Sequence, residues 1–361
     1  MAADEMHADT MDTALEAASR PGTSPMKILV VSTVYNSTPP VGYGGIQRVV
    51  HYLTEALVRA GHEVILMAPP RSWCSGRTVH VAAYDPDRAW TAVKGADDLL
   101  SEEPLYEAMS AFLDREGVDV IHDWSFQNLY VQRHPDRFPF VISTCIPPAP
   151  GYARDNLVAC SDAHARLIGA GTRYVHYGLP LHEWPARTRK SAAPIHIAKI
   201  ARFKAQHLAL LAAMRARSPL VLAGNIENRR YFDFVVRPLL ALYRKASYIG
   251  EISGTQSHLL DAAALVQTPR WFDCFPLVVL EALACATPVI ALSEGGLPEQ
   301  VRHGQTGFLC HGVSDLAEAF KRLGEIDPAA CRRDAEERFS DTAMAANYIA
   351  LYREVGNGVR W

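Results

Sequence analysis

Residues 26 to 67 read "MKILVVSTVYNSTPPVGYGGIQRVVHYLTEALVRAGHEVILM". The stretch opens on an apolar run with β-branched residues, the pattern of a strand buried on both faces. A loop, "NSTPPVGYGG", follows. Then Ile46, Val49, Val50, Leu53, Leu57 and Val58 recur at the spacing that lines one side of a helix. Gly61 stands where a helix C-terminus favours glycine, and "HEVILMAPP" is a second apolar strand. Strand, loop, helix and strand make one βαβ crossover, the seed of a parallel sheet.

The alternation continues outward from that unit. Short strands are expected at "VHVAAY", "VDVIHDW", "FVIST" and "NLVACS", with helices between several of them. It breaks at residues 178–194, "GLPLHEWPARTRKSAAP", where Pro, Ala and basic residues suggest an interdomain linker with "RTRKS" as a solvated face. It then restarts: "IHIAKIAR" as strand, "LALLAAMRAR" as helix, "PLVLAG" as strand, and "FDFVVRPLLALY" as a helix bent at Pro238. The segments "SYIGE", "HLLDAAAL" and "LVVLEALACA" precede the strand "PVIAL". The expected architecture is α/β, with two doubly wound domains at 26–185 and 186–340 and a cleft between them. Residues 1–25 form a leader without fixed structure, and 341–361 a closing segment. In open parallel sheets, ligands gather at the carboxyl ends of the strands, so function is sought in the loops there.

Bulk properties narrow the choice. A chain of 361 residues is comfortable as two domains of about 150 residues each. Its 36 basic and 39 acidic residues give a formal charge of −3, with no bulk electrostatic case for nucleic acid and no indication of peripheral membrane contact. No apolar run reaches the roughly 20 residues that span a bilayer, and the first 25 lack the order of a signal peptide. Seven cysteines without a CxxC pair read as reduced thiols of a cytoplasmic protein.

Chemistry concentrates in "WFDCFPLVVLEALACATPVIALSEGGLPEQV", residues 271–301. Pro276 suits the first turn of a helix, which leaves the amides of Leu277 and Val278 free to meet a phosphate. Asp273 lies just before that helix end and Glu281 about a turn and a half inside it, where ionised carboxylates accept hydroxyls. A nucleotide sugar offers this set: ribose hydroxyls, a diphosphate and sugar hydroxyls. On spacing alone, Asp273 could equally cap the helix and Glu281 be a solvated surface acid. "GYGG" is not the GxGxxG dinucleotide fingerprint, which disfavours a nicotinamide-dependent dehydrogenase. His164, His176 and His182 lack metal-ligand spacing, and no metal site is expected.

The stretch "FDCFPLVVLEALACATPVIALSEGGLPEQVRHGQTGFL" resembles the donor-site region of the retaining glycosyltransferases of family 4, whose fold is GT-B: two Rossmann-like domains facing a cleft. "GYGGIQRVVHYLTEALVRAGHEV" is similar to that family's first glycine loop and helix, and "VDVIH" to the strand carrying its active-site histidine. "FSDTAMAANYIALYREV" resembles its C-terminal helix, which crosses back onto the first domain. The resemblance covers nearly all of residues 26 to 356.

It implies that Glu281 accepts from the donor ribose, that Asp273 touches the transferred sugar, and that the amides of Leu277 and Val278 bind the diphosphate. Gly44 and Gly45 would let the first loop approach the donor phosphates, Arg202 would neutralise the diphosphate in place of a metal, and His122 would be an active-site group facing the cleft. The chain departs from the pattern at Asp273 for the usual Glu, Pro276 for Gly, His207 for a lysine, and Cys145 where a second histidine is common. Lys204 lies near but out of register.

The implied activity is retaining transfer of a sugar from a nucleotide diphosphate sugar to an acceptor hydroxyl, with neither metal nor other cofactor. The acceptor, on the first-domain side, is a glycan, a lipid or a small molecule. The departures motivate a second reading, a binding protein that kept the fold and lost turnover.

Overall fold

The computed structural model describes residues 24–42, 44–88, 99–147 and 154–361. The expectation for the leader falls almost wholly outside the described residues. Two compact units emerge: one of Met1–Cys160, Ala165–Gly178 and Asp341–Trp361, the other of Ser161–His164 and Leu179–Ser340. Residues 179–185, assigned above to the first domain, thus belong to the second unit.

Strands β1 (Lys27–Val31), β2 (Glu63–Ala68), β3 (Arg77–His80), β4 (Val120–Asp123), β5 (Phe140–Ser143), β6 (Leu157–Ala159) and β7 (Arg173–Tyr174) lie in the first unit. The second holds β8 (Ile195–Ile197), β9 (Leu220–Ala223), β10 (Ala246–Tyr248), β11 (Leu265–Gln267), β12 (Val289–Leu292) and β13 (Gly307–Cys310). Five helices bear on the argument: α1 (Gly45–Arg59), α2 (Glu103–Leu113), α3 (Gln206–Ala216), α4 (Leu277–Ala284) and α5 (Asp341–Gly356).

The first sheet is parallel, in the order β3-β2-β1-β4-β5-β6-β7. The chain winds outward from β1 to β3, then returns to the other side of β1 with β4, where Val30 pairs with His122 and Val31 with Asp123. That reversal opens a crevice between the loops after β1 and β4. Side chains alternate across the sheet. Leu29, Val31 and Ile121 share a core with Leu105, Met109 and Phe112 of α2. The opposite face carries α5, which lies against β4, β5 and α1 and buries Met344, Tyr348, Tyr352 and Val355. Those four recur at spacings of three and four, one side of a helix.

The second sheet repeats the design in the order β10-β9-β8-β11-β12-β13, all parallel, with its reversal between β8 and β11. Strands β7 and β11 escaped the sequence reading: β7 has only two residues, and β11 begins on the last residue of "HLLDAAAL", which reads as one apolar piece. The helix expected to bend at Pro238 instead widens. A π-helical stretch, Phe232–Val236, precedes an α-helical turn at Arg237–Leu242. Proline has no N–H to donate and its ring crowds the carbonyl four residues back, so the ladder loosens ahead of it.

The linker is not solvated throughout. Lys190 donates to the carbonyls of Leu260 (3.1 Å) and Cys285 (2.9 Å) and to Thr287 Oγ1 (2.7 Å). Carbonyls at helix ends lack intrahelical partners, and the ammonium supplies them. Partial burial brings the Lys190 amine down to about 8.

Candidate functional site

In the second unit the loops after β8 and β11 meet at the sheet's reversal. The Arg270 amide donates to Phe203 O at 2.7 Å, and Thr268 Oγ1 donates to the carbonyls of Lys204 and Ala205 at 3.1 Å each. This fastening brings Lys204 onto Asp273. The two form an ion pair, their side chains only 13% and 12% exposed, with the ammonium 5.4 Å from the Trp271 ring centroid. Lys204, set aside in the sequence as out of register, is therefore part of the cluster. Its signal was the two-residue spacing from Arg202 in a loop after a strand. Arg202 itself is exposed and has no ion-pair partner among the described residues.

Asp273 does not cap the helix behind it. The N-cap of α4 is Pro276, in an extended conformation, rather than a first-turn residue as expected. Proline's fixed φ suits the cap as well, and its carbonyl accepts the Val279 amide at 3.1 Å. No hydrogen bond among the described residues uses the amides of Leu277 or Val278, so two donors stand at the positive end of the helix. Glu281 is buried at 5% exposure, and its Oε2 accepts the Thr255 hydroxyl at 2.7 Å. The solvated-acid reading of Glu281 is excluded.

The double glycine answers to sterics. A Cβ on Gly295 would stand 2.2 Å from Asp273 O, and one on Gly296 would stand 2.1 Å from Cys274 O. Gly295 also has φ +58°, the left-handed region that glycine tolerates. With Gly296 N donating to Asp273 O at 2.9 Å, this loop fixes the backbone that carries Asp273. Glu299 is structural: its carboxylate accepts the amides of Asp162 and Ala163 at 2.8 Å each.

His207 departs from expectation. Tyr231 Oη lies 2.9 Å from its Nδ1 and accepts its amide at 3.0 Å, and burial, then Arg202 and Arg270, push the imidazole below its usual range. A ring so placed is neutral at pH 7 and does not replace a lysine's charge.

His122 is corrected more fully. It does not end its strand at an open edge, since β4 runs on to Asp123 and the ring is wholly buried. Strand alternation turns it onto α5. Nδ1 meets Tyr352 Oη at 2.7 Å, and Nε2 meets Ser143 Oγ at 2.8 Å, which in turn meets Tyr348 Oη at 2.8 Å. Burial pushes its pKa down to about 3, so both nitrogens serve a neutral internal network. Of the glycines, Gly44 is a close-packing position where a Cβ would come within 2.8 Å of the Pro40 ring, whereas a Cβ on Gly45 would meet nothing.

The reversal of the first sheet holds a cavity of about 250 Å³, lined by Tyr35, Trp124, Phe126 and Thr144 among others. Carboxylates build its floor. Asp123 Oδ1 accepts the Ser125 amide at 2.8 Å, while Glu102 accepts Phe126 N and Gln127 N at 2.9 Å each. Desolvation, then the nearby Asp123, raises Glu102 to about 7. Nothing local in the sequence marks Glu102, because the amides it holds lie 24 and 25 residues away.

Residues 43–144 match the family model for Glycosyltransferase Family 4, and residues 190–341 match that for Glycosyl transferases group 1. Together these matches span well over half the chain. Over 409 aligned positions the chain is 28% identical to the glycogen synthase of Mycobacterium tuberculosis (strain ATCC 25618 / H37Rv), covering 91% of this chain and 95% of that protein. It is 33% identical over 183 residues to a D-inositol 3-phosphate glycosyltransferase of Pseudarthrobacter chlorophenolicus, 44% of this chain and 43% of that one. The fold matches AviGT4, a glycosyltransferase involved in avilamycin A biosynthesis, with TM-score 0.76 and 23% identity over 93% of this chain and 100% of that one. It also matches Anabaena Alr3699/HepE in complex with UDP and glucose, at TM-score 0.64 and 17% identity over 90% and 98%. With both models met in chain order on two parallel αβ sheets, the chain belongs to the family 4 glycosyltransferases of GT-B fold.

Proposed function

We propose that this glycosyltransferase takes its sugar from a nucleoside diphosphate sugar bound at the reversal of the second sheet and transfers it, with retention, to an acceptor hydroxyl at the first unit. What supports the reading is the set of complementary groups carried by the second unit: an exposed Arg202 without an ion-pair partner among the described residues, two α4 amides that no hydrogen bond among the described residues uses, and the buried carboxylates of Asp273 and Glu281.

Each group has a task. Arg202 and the amides of Leu277 and Val278 offset the charge of the diphosphate, which grows as the sugar departs, so no metal is required. Glu281, oriented by Thr255, accepts from a ribose hydroxyl. Asp273 accepts from a hydroxyl of the sugar while Lys204 holds its carboxylate in place. His122 and His207 receive no contact with the donor in this scheme. Names of relatives refer to glycogen in one case and to a phosphorylated inositol in another, so the acceptor's charge is the open choice.

Calorimetric titration with UDP, GDP, ADP and their glucose conjugates tests the donor reading. Saturable binding of one nucleoside diphosphate, weakened at least tenfold in Arg202→Ala, is the expected result. Turnover should persist in EDTA, and NMR of the product should show the anomeric configuration of the donor. Absence of nucleotide binding at millimolar concentration would overturn the proposal.

A further inference from the structure

We infer that the acceptor is an uncharged hydroxyl compound with an apolar face, held in the cavity of the first unit. The inference rests on the transferase reading above and adds the acceptor's chemical class. The cavity sits at the reversal of the first sheet, and most of its lining is apolar, with Ile46, Leu100, Phe126, Ile146 and Pro147 in its wall. At about 250 Å³ it lies just under the range of about 300–1,000 Å³ usual for drug-sized ligands. One ring, saccharide or aromatic, is the right scale.

Charge then decides between the candidates. None of the described residues lining the cavity is Lys, Arg or His, while Glu102 is the acid among them. Behind it, Asp123 is fully buried, and its Oδ2 has no hydrogen-bond partner among the described residues. The buried ring of His122, beside Trp124 and bonded to the lining residue Ser143, already has both nitrogens engaged. A phosphate placed here would lose its water, meet no cation among the described lining residues and face two carboxyl groups.

Polar groups suited to hydroxyls are present instead. Ser125, Gln127 and Thr144 line the cavity, as does Trp124, whose buried indole N–H has no partner among the described residues. A neutral ligand can stack an apolar face on the aromatic wall and place hydroxyls on this set.

A matched pair of probes tests the charge argument: phenyl β-glucoside and its 6-phosphate, titrated calorimetrically at pH 7 without donor. Expected is saturable binding of the neutral glucoside, with the phosphate at least tenfold weaker. In Thr144→Arg the preference should shrink or reverse, with an unfolding midpoint near wild type showing that the variant is folded. Equal or tighter binding of the phosphate by wild type would overturn the inference, as would failure of the neutral glucoside to bind. A nucleoside diphosphate titration on the same sample keeps the proposals apart. Nucleotide binding without glucoside selectivity sinks the acceptor inference alone, and the converse sinks the donor reading alone.

Discussion

Glu281 is buried, and its Oε2 accepts the Thr255 hydroxyl. Replacing it by Gln keeps the shape and removes the charge. Since hydrogen bonds to charged groups are worth about 1.5–3 kcal/mol, Glu281→Gln should weaken nucleotide binding about tenfold or more, measured by calorimetry, with the fold intact. Gly295→Ala acts through backbone instead. Its Cβ would displace the Asp273 carbonyl, so the variant should lose about 1–3 kcal/mol of stability in urea unfolding as well as donor affinity. Histidine gives a pH signature. His122 and His196 are both buried and depressed to about 3, so the folded chain binds fewer protons than the unfolded one at these positions. Their contribution is complete above about pH 6.5 and is lost as pH falls toward 3. Glu102, raised to about 7, works in the opposite sense, so the comparison must be between variants. From pH 6.5 to 5, wild type should lose about 2 kcal/mol more than His122→Gln, read from urea midpoints.

At the scale of elements, the loop after β4 is held by acids rather than by regular structure. Three successive amides, of Ser125, Phe126 and Gln127, are taken by Asp123 and Glu102. Glu102→Gln keeps one acceptor oxygen and turns the other into a donor facing an amide. An unmet buried amide costs about 1–3 kcal/mol, so hydrogen exchange at Phe126 or Gln127 should quicken by tenfold or more while β4 stays protected. The order of strand, loop and helix was legible in residues 26–67 because long apolar runs have an unambiguous period. Strands β7 and β11 were not, and β11 leads directly into the loop that carries Asp273.

For the whole molecule, α5 is the last helix in sequence yet belongs to the first unit. It buries Met344, Tyr348, Ile349 and Tyr352, and its Asp341 pairs with Arg59 of α1. Burial of one large apolar side chain is worth roughly 1.5–3 kcal/mol, so the helix contributes an amount comparable with a domain's net stability of about 5–15 kcal/mol. A chain ending at Ser340 should therefore lose exchange protection throughout β1 to β6 while β8 to β13 keep theirs. Equal protection of both sheets would show that α5 is dispensable. Among the described residues no helix is long and apolar enough to cross a membrane, and none of the seven cysteines forms a disulfide.

Sequence by itself determined the class of fold and the two runs of alternating strand and helix. Hydrophobic period and glycine punctuation are local properties, written in neighbouring residues. Tertiary structure alone decided what each polar side chain faces. It turned His122 inward onto Tyr352, set His207 against Tyr231, brought Lys204 to Asp273 across 69 residues, and set Glu102 beneath a loop 24 residues away. A charge or a hydrogen bond acts over a few ångströms of space, and only the packed sheet fixes which distant residues come within that reach.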